Sequence, residues 1–400
     1  MAFDYSKLAS PAYFAENRLP AHSDHIAFAS RAEWEQGESS LRMNLNGLWY
    51  FHHARNFDQL PSGFEQPDYN CRRWESIPVP AHIQMEGYGA PQYVNVQYPW
   101  DGLQDIEVGE IPQDFNPVAS YCRYFFLPEA MQSKRVFVSF QGAESCVILW
   151  LNGHYVGFAS DSFTPSDFEL TPYLVEGENK LCCQVVRFTA GSWLEDQDFM
   201  RFSGLFRDVF LYAAGDAHIF DVRVKTLLDD DYTDAKLHVA VKLDLAEGFA
   251  GQLRLKLKDE DTIVAGEQDA MGEVHFSLPV ASPKLWSAEA PNLYDLELSI
   301  VSADGSEIEF VCEKVGFRRF EIIDCVMHLN GKRIVFKGAD RHDYCAESGR
   351  AVPEWKVRRD LITMKRNNIN AIRTSHYPNA SCLYRIADEL GLYVIDEANM

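Results

Sequence analysis

The sequence predicts a multidomain protein in which an all-β jelly roll leads into an immunoglobulin-like β-sandwich and then into the first strands of a TIM (β/α)₈ barrel. Three observations carry that prediction. Short apolar runs separated by turn residues fill positions 45–215, strict apolar/charged alternation fills 216–320, and a strand-helix-strand-helix-strand pattern fills 321–400. Residues 1–44 are polar, contain Pro11 and Pro20, and are expected to form an N-terminal arm laid over the larger body.

In the first β region the runs GLWYFHHA, SYCRYFFL, RVFVSFQGA, CVILWLNGHYVGFA, NKLCCQVVRF and RDVFLYAA have strand length and sandwich spacing. Asn152-Gly153, between alternating residues, favours a type I′ hairpin because both residues tolerate positive φ. In the second region HIFDVRVKTLL, AKLHVAVKLDL, GQLRLKLKDE and NLYDLELSIV alternate as strands with one wet face do. After about Glu321, RIVFKGA, NAIRTS and LYVIDEA predict strands, and EWKVRRDLITMKRNN and CLYRIADELG predict amphipathic helices, the second ending at Gly391. Short connections between them require parallel βαβ units. A doubly wound sheet is the alternative, but no Gly-rich phosphate loop follows the first strand. A barrel closes only with about eight strands, so a chain ending after the third is expected to be a fragment, or a subunit completed by another polypeptide.

Composition narrows the partners. A net charge of −22 disfavours nucleic acid and anionic membranes, which need clustered Lys and Arg. The nine cysteines show no CxxC spacing, so neither a zinc site nor a disulfide framework is expected from them. No leader-like start or membrane-length apolar run is present, and a soluble cytoplasmic protein is the simplest expectation. Aromatic content of 13% suits sugar rings, although sandwich cores absorb most such residues.

Chemistry-bearing residues collect after the barrel strands: DRHDY at 340–344, SHYPN at 375–379 and DEANM at 396–400. Barrel enzymes build their sites at those strand ends. An acidic, aromatic-rimmed stretch, WLEDQDFMRFSGLFRDV at 193–209, stands outside this pattern. Taken with NVQYPW (95–100), GADRHDY, RTSHYPN and YVIDEANM, it resembles the glycoside hydrolase family 2 β-galactosidases of the lac type. Each motif alone is weak, but five in order over nearly the whole chain are specific.

The resemblance implies a sugar-binding jelly roll and retaining hydrolysis of terminal β-D-galactosyl residues, as in lactose-like substrates. It implies that Asn95 and Asp198 bind substrate, that Asp198 also ligates sodium, and that His342 and His376 hydrogen-bond the galactosyl hydroxyls and favour the transition state. A carboxylate is a suitable ligand for a hard cation. The acid/base and nucleophile Glu, and the main magnesium ligands, are expected beyond Met400, so these 400 residues alone are expected to be inactive. Homo-oligomers are expected as well. Arg341 and Arg373 are candidates for holding catalytic carboxylates, or else core ion pairs. Glu195 and Asp196 read as structural, paired with Arg201 or Arg207. His238 and His275 read as structural. Asp396 and Glu397 are not a catalytic pair, because adjacent strand residues face opposite ways.

Two other readings stay open. A family 2 β-glucuronidase or β-mannosidase is disfavoured in the first case by the negative Asp198, where a substrate carboxylate would need positive charge. A non-catalytic carbohydrate-binding fragment would show a planar row of exposed aromatics and no barrel.

Overall fold

The computed structural model describes residues 3–398, so Asn399 and Met400 of the DEANM motif lie outside the described residues. The first β region forms two facing antiparallel sheets. One has seven strands in the order Ala15–Glu16, His154–Ala159, Val147–Leu151, Glu178–Val186, Val118–Phe126, Gly47–Ala54, Glu75–Val79. The other has four: Ser166–Glu169, Arg135–Phe140, Val209–Ala214, Arg42–Asn44. Their inner faces interdigitate through Trp49, Phe51, Tyr121, Phe140, Leu149, Phe168 and Leu211, all at 1% exposure or less. That is the packed core that alternation predicts.

Asn152 and Gly153 take φ of 52° and 86° between paired Leu151 and His154, the two-residue turn expected from the sequence. The segment before residue 45 adds a strand to each sheet, and its helix Arg31–Gln36 is capped by Ser30 and ends on left-handed Gly37.

The second β region is a sandwich of three strands (Ala217–Leu228, Ala235–Leu245, Glu273–Val280) on four (Thr262–Asp269, Gly251–Lys258, Tyr294–Ser302, Glu307–Val315). Burial alternates along Ala235–Leu245 and Gly251–Lys258, so one face of each sheet is wet.

The last region holds three parallel strands, Gly338–Arg341, Ala371–Thr374 and Tyr393–Ile395, joined by helices Glu354–Arg366 and Ser381–Leu390. Val357, Leu361, Ile372, Leu383 and Ile386 form their common core. Gly391 ends the second helix at φ 75°, against Ala288 of the sandwich, where a Cβ would lie 2.4 Å from a carbonyl oxygen.

The first strand is not where the apolar run placed it. RIVFKGA is divided: Lys332–Arg333 closes a hairpin with Val326–Leu329, and only Gly338–Arg341 joins the parallel sheet. Asn330-Gly331, with φ of 51° and 73°, makes that hairpin turn and uses the apolar residues before and after it. At Gly338 a Cβ would meet the Ala371 oxygen at 2.6 Å, so the parallel pairing closes only where the chain lacks a side chain.

Candidate functional site

The site forms where the jelly roll meets the C-terminal ends of the parallel strands. Strand Gln92–Val94 pairs antiparallel with Phe199–Arg201, Val94 facing Phe199. Continuing that register by one residue sets Asn95 opposite Asp198, both exposed. The aromatics of the two motifs hold these loops together: Trp193 packs on Trp100 and Tyr98 at 4.7 and 4.5 Å, and its indole N–H donates to the Glu110 carbonyl. This packing, rather than a solvent-facing sugar platform, accounts for the rings around the acids.

Of the three acids, Asp198 alone is exposed. Its carboxylate accepts a hydrogen bond from Tyr93, and among the described residues no Lys, Arg or His forms an ion pair with it. Asp196 pairs with Arg201, as the sequence suggested. Glu195 is held differently: its carboxylate accepts from the Ser162 hydroxyl and N–H, and burial pushes its pKa up to about 7. Arg201 takes the Glu195 carbonyl, while Arg207 donates to the carbonyls of Phe163 and Pro378 and reaches Asp343 at 4.0 Å. Arg207 therefore bolts the jelly roll to the SHYPN loop. Tyr377 of that loop stacks on Phe163 at 4.4 Å.

His342 and His376 follow the first and second parallel strands, and their rings meet edge to face at 5.6 Å between centroids. Desolvation lowers the pKa of His342, the charges of His376 and Arg350 lower it further, and Asp198 and Asp340 oppose them. Asp198 of the jelly roll thus lies within electrostatic reach of His342 at the strand end. His376 Nδ1 lies 3.0 Å from Glu397, which also pairs with Arg373. Arg373 further reaches Asp340 at 3.3 Å, which joins the ends of all three strands.

Arg341 is buried and bonds Asp343, Asp360 and Asn379, each at 3.2 Å, so it is a core ion pair and not a clamp facing the site. Just past the third strand, the Asp396 carboxylate accepts from Thr374 and Tyr384, whereas the Glu397 carboxylate engages Arg373 and His376. His238 and His275 sit on the sandwich; His275 is exposed beside Glu273 and neither approaches the site. Sequence reasoning missed Glu397 as the acid that holds His376. Its only sequence signal is its place just past the third strand. It also missed Arg350, buried among Phe163, Phe199, Phe202, Phe206 and Tyr377 and paired with Glu144.

Three family models match consecutive stretches: the glycosyl hydrolases family 2 sugar binding domain at 42–215, glycosyl hydrolases family 2 at 217–318, and the glycosyl hydrolases family 2 TIM barrel domain at 320–400. The chain belongs to glycosyl hydrolase family 2. Family 2 relatives include a β-galactosidase of Halalkalibacterium halodurans, 48% identical over 97% of this chain and 39% of the relative. A β-galactosidase of Streptococcus thermophilus is 46% identical over 98% of this chain and 38% of its own length. The β-galactosidase large subunit of Latilactobacillus sakei is 38% identical over 98% and 65%. The chain thus spans about two fifths of the length of the first two family 2 relatives. Among solved family-like structures, a β-glycosidase of Bacteroides vulgatus superposes with a TM-score of 0.74 at 25% identity, covering 89% of this chain and 44% of that one. A β-glucuronidase of Bifidobacterium dentium superposes at 0.75 and 21% identity, covering 95% and 62%, which speaks to the fold alone. The three-domain architecture expected from the sequence is that of family 2, with three barrel strands among the described residues.

Proposed function

We propose that the protein to which this chain belongs is a β-galactosidase that hydrolyses terminal β-D-galactosyl residues with retention. The observation that carries the reading is that Asp198, set opposite Asn95 by the strand register, lies within electrostatic reach of His342, whose ring meets that of His376 edge to face. A galactosyl ring is neutral and rich in hydroxyls. Asp198 accepts hydroxyl hydrogens with a charged oxygen, Asn95 can donate or accept, and each histidine can donate through a ring N–H. Glu397 at Nδ1 fixes the ring of His376, whose Nε2 lies 3.5 Å from the Ser375 hydroxyl. Donors held in place before reaction stabilise the charge redistribution of an oxocarbenium-like transition state more than the ground state.

Among the described residues, the exposed arginine at these strand ends is not vacant for a substrate carboxylate. Arg373 is committed to Glu397 and Asp340, and Asp198 adds negative charge, which argues against a β-glucuronidase. The attached parallel strands argue against a module that only binds carbohydrate. Retaining hydrolysis needs two carboxyls about 5 Å apart; Asp396 and Glu397 are engaged in different directions and do not serve.

Asp198 also suits a sodium ion, as one exposed carboxylate that, among the described residues, forms no ion pair with Lys, Arg or His. When bound, that ion would supply a fixed positive charge for substrate hydroxyls. Magnesium does not fit the described residues, since none of their close groups of three or more potential ligands is an oxygen set. Lactose-like substrates, a homo-oligomeric state and a cytoplasmic location belong to the same proposal. The described residues contain no helix long and apolar enough to cross a membrane.

The test is hydrolysis of paired nitrophenyl β-galactoside and β-glucuronide substrates by the full-length protein. Preference for the galactoside supports the proposal. Preference for the glucuronide, or binding without turnover of either, overturns it.

A further inference from the structure

We infer that Cys71, Cys122 and Cys182 form a buried site for one thiophilic divalent d¹⁰ metal ion, with Lys180 as its charge partner. The site lies on the outer face of the seven-stranded sheet, away from the galactoside site. Cys122 and Cys182 face one another across the ladder between Val118–Phe126 and Glu178–Val186. Cys71 opens the turn Cys71–Arg73 in the loop that covers this face, together with Phe64 and Trp150. The three Sγ atoms lie within 4.8 Å of one another, and all three residues are fully buried. The neighbouring Cys183 points into the other core, so the clustering is not a consequence of two adjacent cysteines.

The second observation is Lys180. It is 4% exposed, and its ammonium donates to the carbonyls of Phe64, Gln66 and Tyr69 at 2.7, 2.6 and 2.7 Å. Among the described residues it has no carboxylate ion-pair partner. Carbonyls solvate a buried ammonium but do not neutralise it, and an uncompensated interior charge is costly. The groups beside it able to carry the opposite charge are the sulfurs. Without an ion, the Cys71 and Cys182 thiols donate to the Phe64 carbonyl, which also accepts from Lys180.

A divalent ion completes this arrangement. Binding as three thiolates displaces the thiol protons to solvent and forms three metal–sulfur bonds, and nothing is oxidised. Three thiolates, one divalent ion and one ammonium sum to zero charge. A monovalent ion with three thiolates would leave one negative charge buried. A zinc–sulfur bond of about 2.3 Å places tetrahedral sulfurs about 3.8 Å apart, so the cluster needs to contract by no more than about 1 Å. The Phe64 carbonyl, 3.6 Å from Cys71 Sγ and 3.8 Å from Cys182 Sγ, stands at the open corner. Thiolate sulfur selects zinc or cadmium over calcium or magnesium.

The experiment adds cadmium(II) to the reduced full chain in a Cys325→Ser/Cys345→Ser background, which removes the exposed thiol and the thiol paired with Lys356. Expected are about one cadmium per chain by equilibrium dialysis, a sulfur-to-cadmium charge-transfer band, and release of protons. Cys71→Ala and Cys182→Ala, checked for native circular dichroism, should each weaken binding at least about tenfold. Unchanged binding in both, or no band in the parent, overturns the inference. Should either variant fail to fold, alkylation rates mapped by mass spectrometry on the parent decide the question. Cadmium should slow Cys71, Cys122 and Cys182 at least about tenfold while leaving Cys183 unchanged. Equal rates with and without the ion, or a Cys122–Cys182 disulfide in the chain as isolated, also overturn it.

Discussion

Replacing Arg350 should separate the jelly roll from the barrel strands without touching the substrate-binding residues. Arg350 is 2% exposed, donates to the Met200 carbonyl at 2.6 Å and pairs with Glu144, itself 6% exposed. Glu144 also accepts from the Phe202 N–H at 3.2 Å, so its carboxylate is fixed from both sides. Arg350→Met keeps much of the packing among the five rings but leaves Glu144 buried without a cation. Stranding one member of a buried pair costs about 3–5 kcal/mol. Glu144→Gln strands the guanidinium and should cost a comparable amount. The double variant strands neither, so its cost should fall short of the sum of the singles by about 2 kcal/mol or more. Urea unfolding of the full chain measures this, with midpoint and slope recorded for each variant because a multidomain chain need not unfold in one step. Arg350→Met should also loosen the seat of Asp198 against His342 and weaken galactoside binding in the full-length protein. The reasoning is refuted if Arg350→Met costs less than about 1 kcal/mol, or if the two substitutions are additive.

Asp198→Asn in the full-length protein should reduce galactoside hydrolysis about 10-fold to 100-fold, the range for losing one charged hydrogen bond, and should reduce sodium activation with it. Unchanged sodium activation would remove Asp198 as a ligand. His376→Phe should lower kcat by about 10²-fold, as loss of a transition-state donor does, while the melting midpoint hardly moves; normal turnover would make His376 structural. The arm should loosen in acid at His25, which bonds the Ile219 carbonyl at 2.8 Å and Ser23 at 2.9 Å. Burial and then His218 lower its pKa to about 4, with Glu309 opposing. The unfolded chain takes up this proton near its ordinary value of about 6.5 and the folded chain does not. The stability is therefore complete above about 6.5 and lost as pH falls toward 4, up to about 3 kcal/mol. His22, raised overall by Asp167 against its own burial, works in the opposite direction, gaining as pH falls. Melts from pH 7.5 to 4 should flatten in His25→Gln relative to the parent, and an identical slope would remove His25 as the cause.

How much of this was legible in the sequence depended on whether the deciding physics was local. Asn152-Gly153 specified its hairpin because a two-residue turn needs only two permissive residues. The sandwich strands were legible because one wet face writes alternation directly into the sequence. The first barrel strand was misplaced because an apolar run looks the same in a hairpin and in a parallel strand. Asn330-Gly331 carried the same turn signal as Asn152-Gly153 and resolves the ambiguity. His342, His376, Asn95 and Asp198 were reached through family motifs, and no spacing rule would have joined them, since Asn95 meets Asp198 only through a strand pairing across about a hundred residues.

The partners of these residues were hidden for a different reason. A carboxylate's role is set by what its neighbours take from it, and three acids in one short stretch diverge completely here. Glu195 is drawn inward to Ser162, Asp196 is neutralised by Arg201, and Asp198 is left exposed to the site. Arg350 shows the same dependence from the cationic side. Nothing in "ESGRAV" distinguishes a surface arginine from one enclosed by aromatics contributed by two domains. Rings that composition alone would assign to sugar stacking instead form that enclosure and the Tyr98, Trp100 and Trp193 cluster, while others fill the sandwich cores. On the proposed reading, sugar recognition at this site rests on charged and polar groups held by aromatic walls. Substitution of a wall should act through the position of Asp198 or His342 before it acts through lost contact with the ligand.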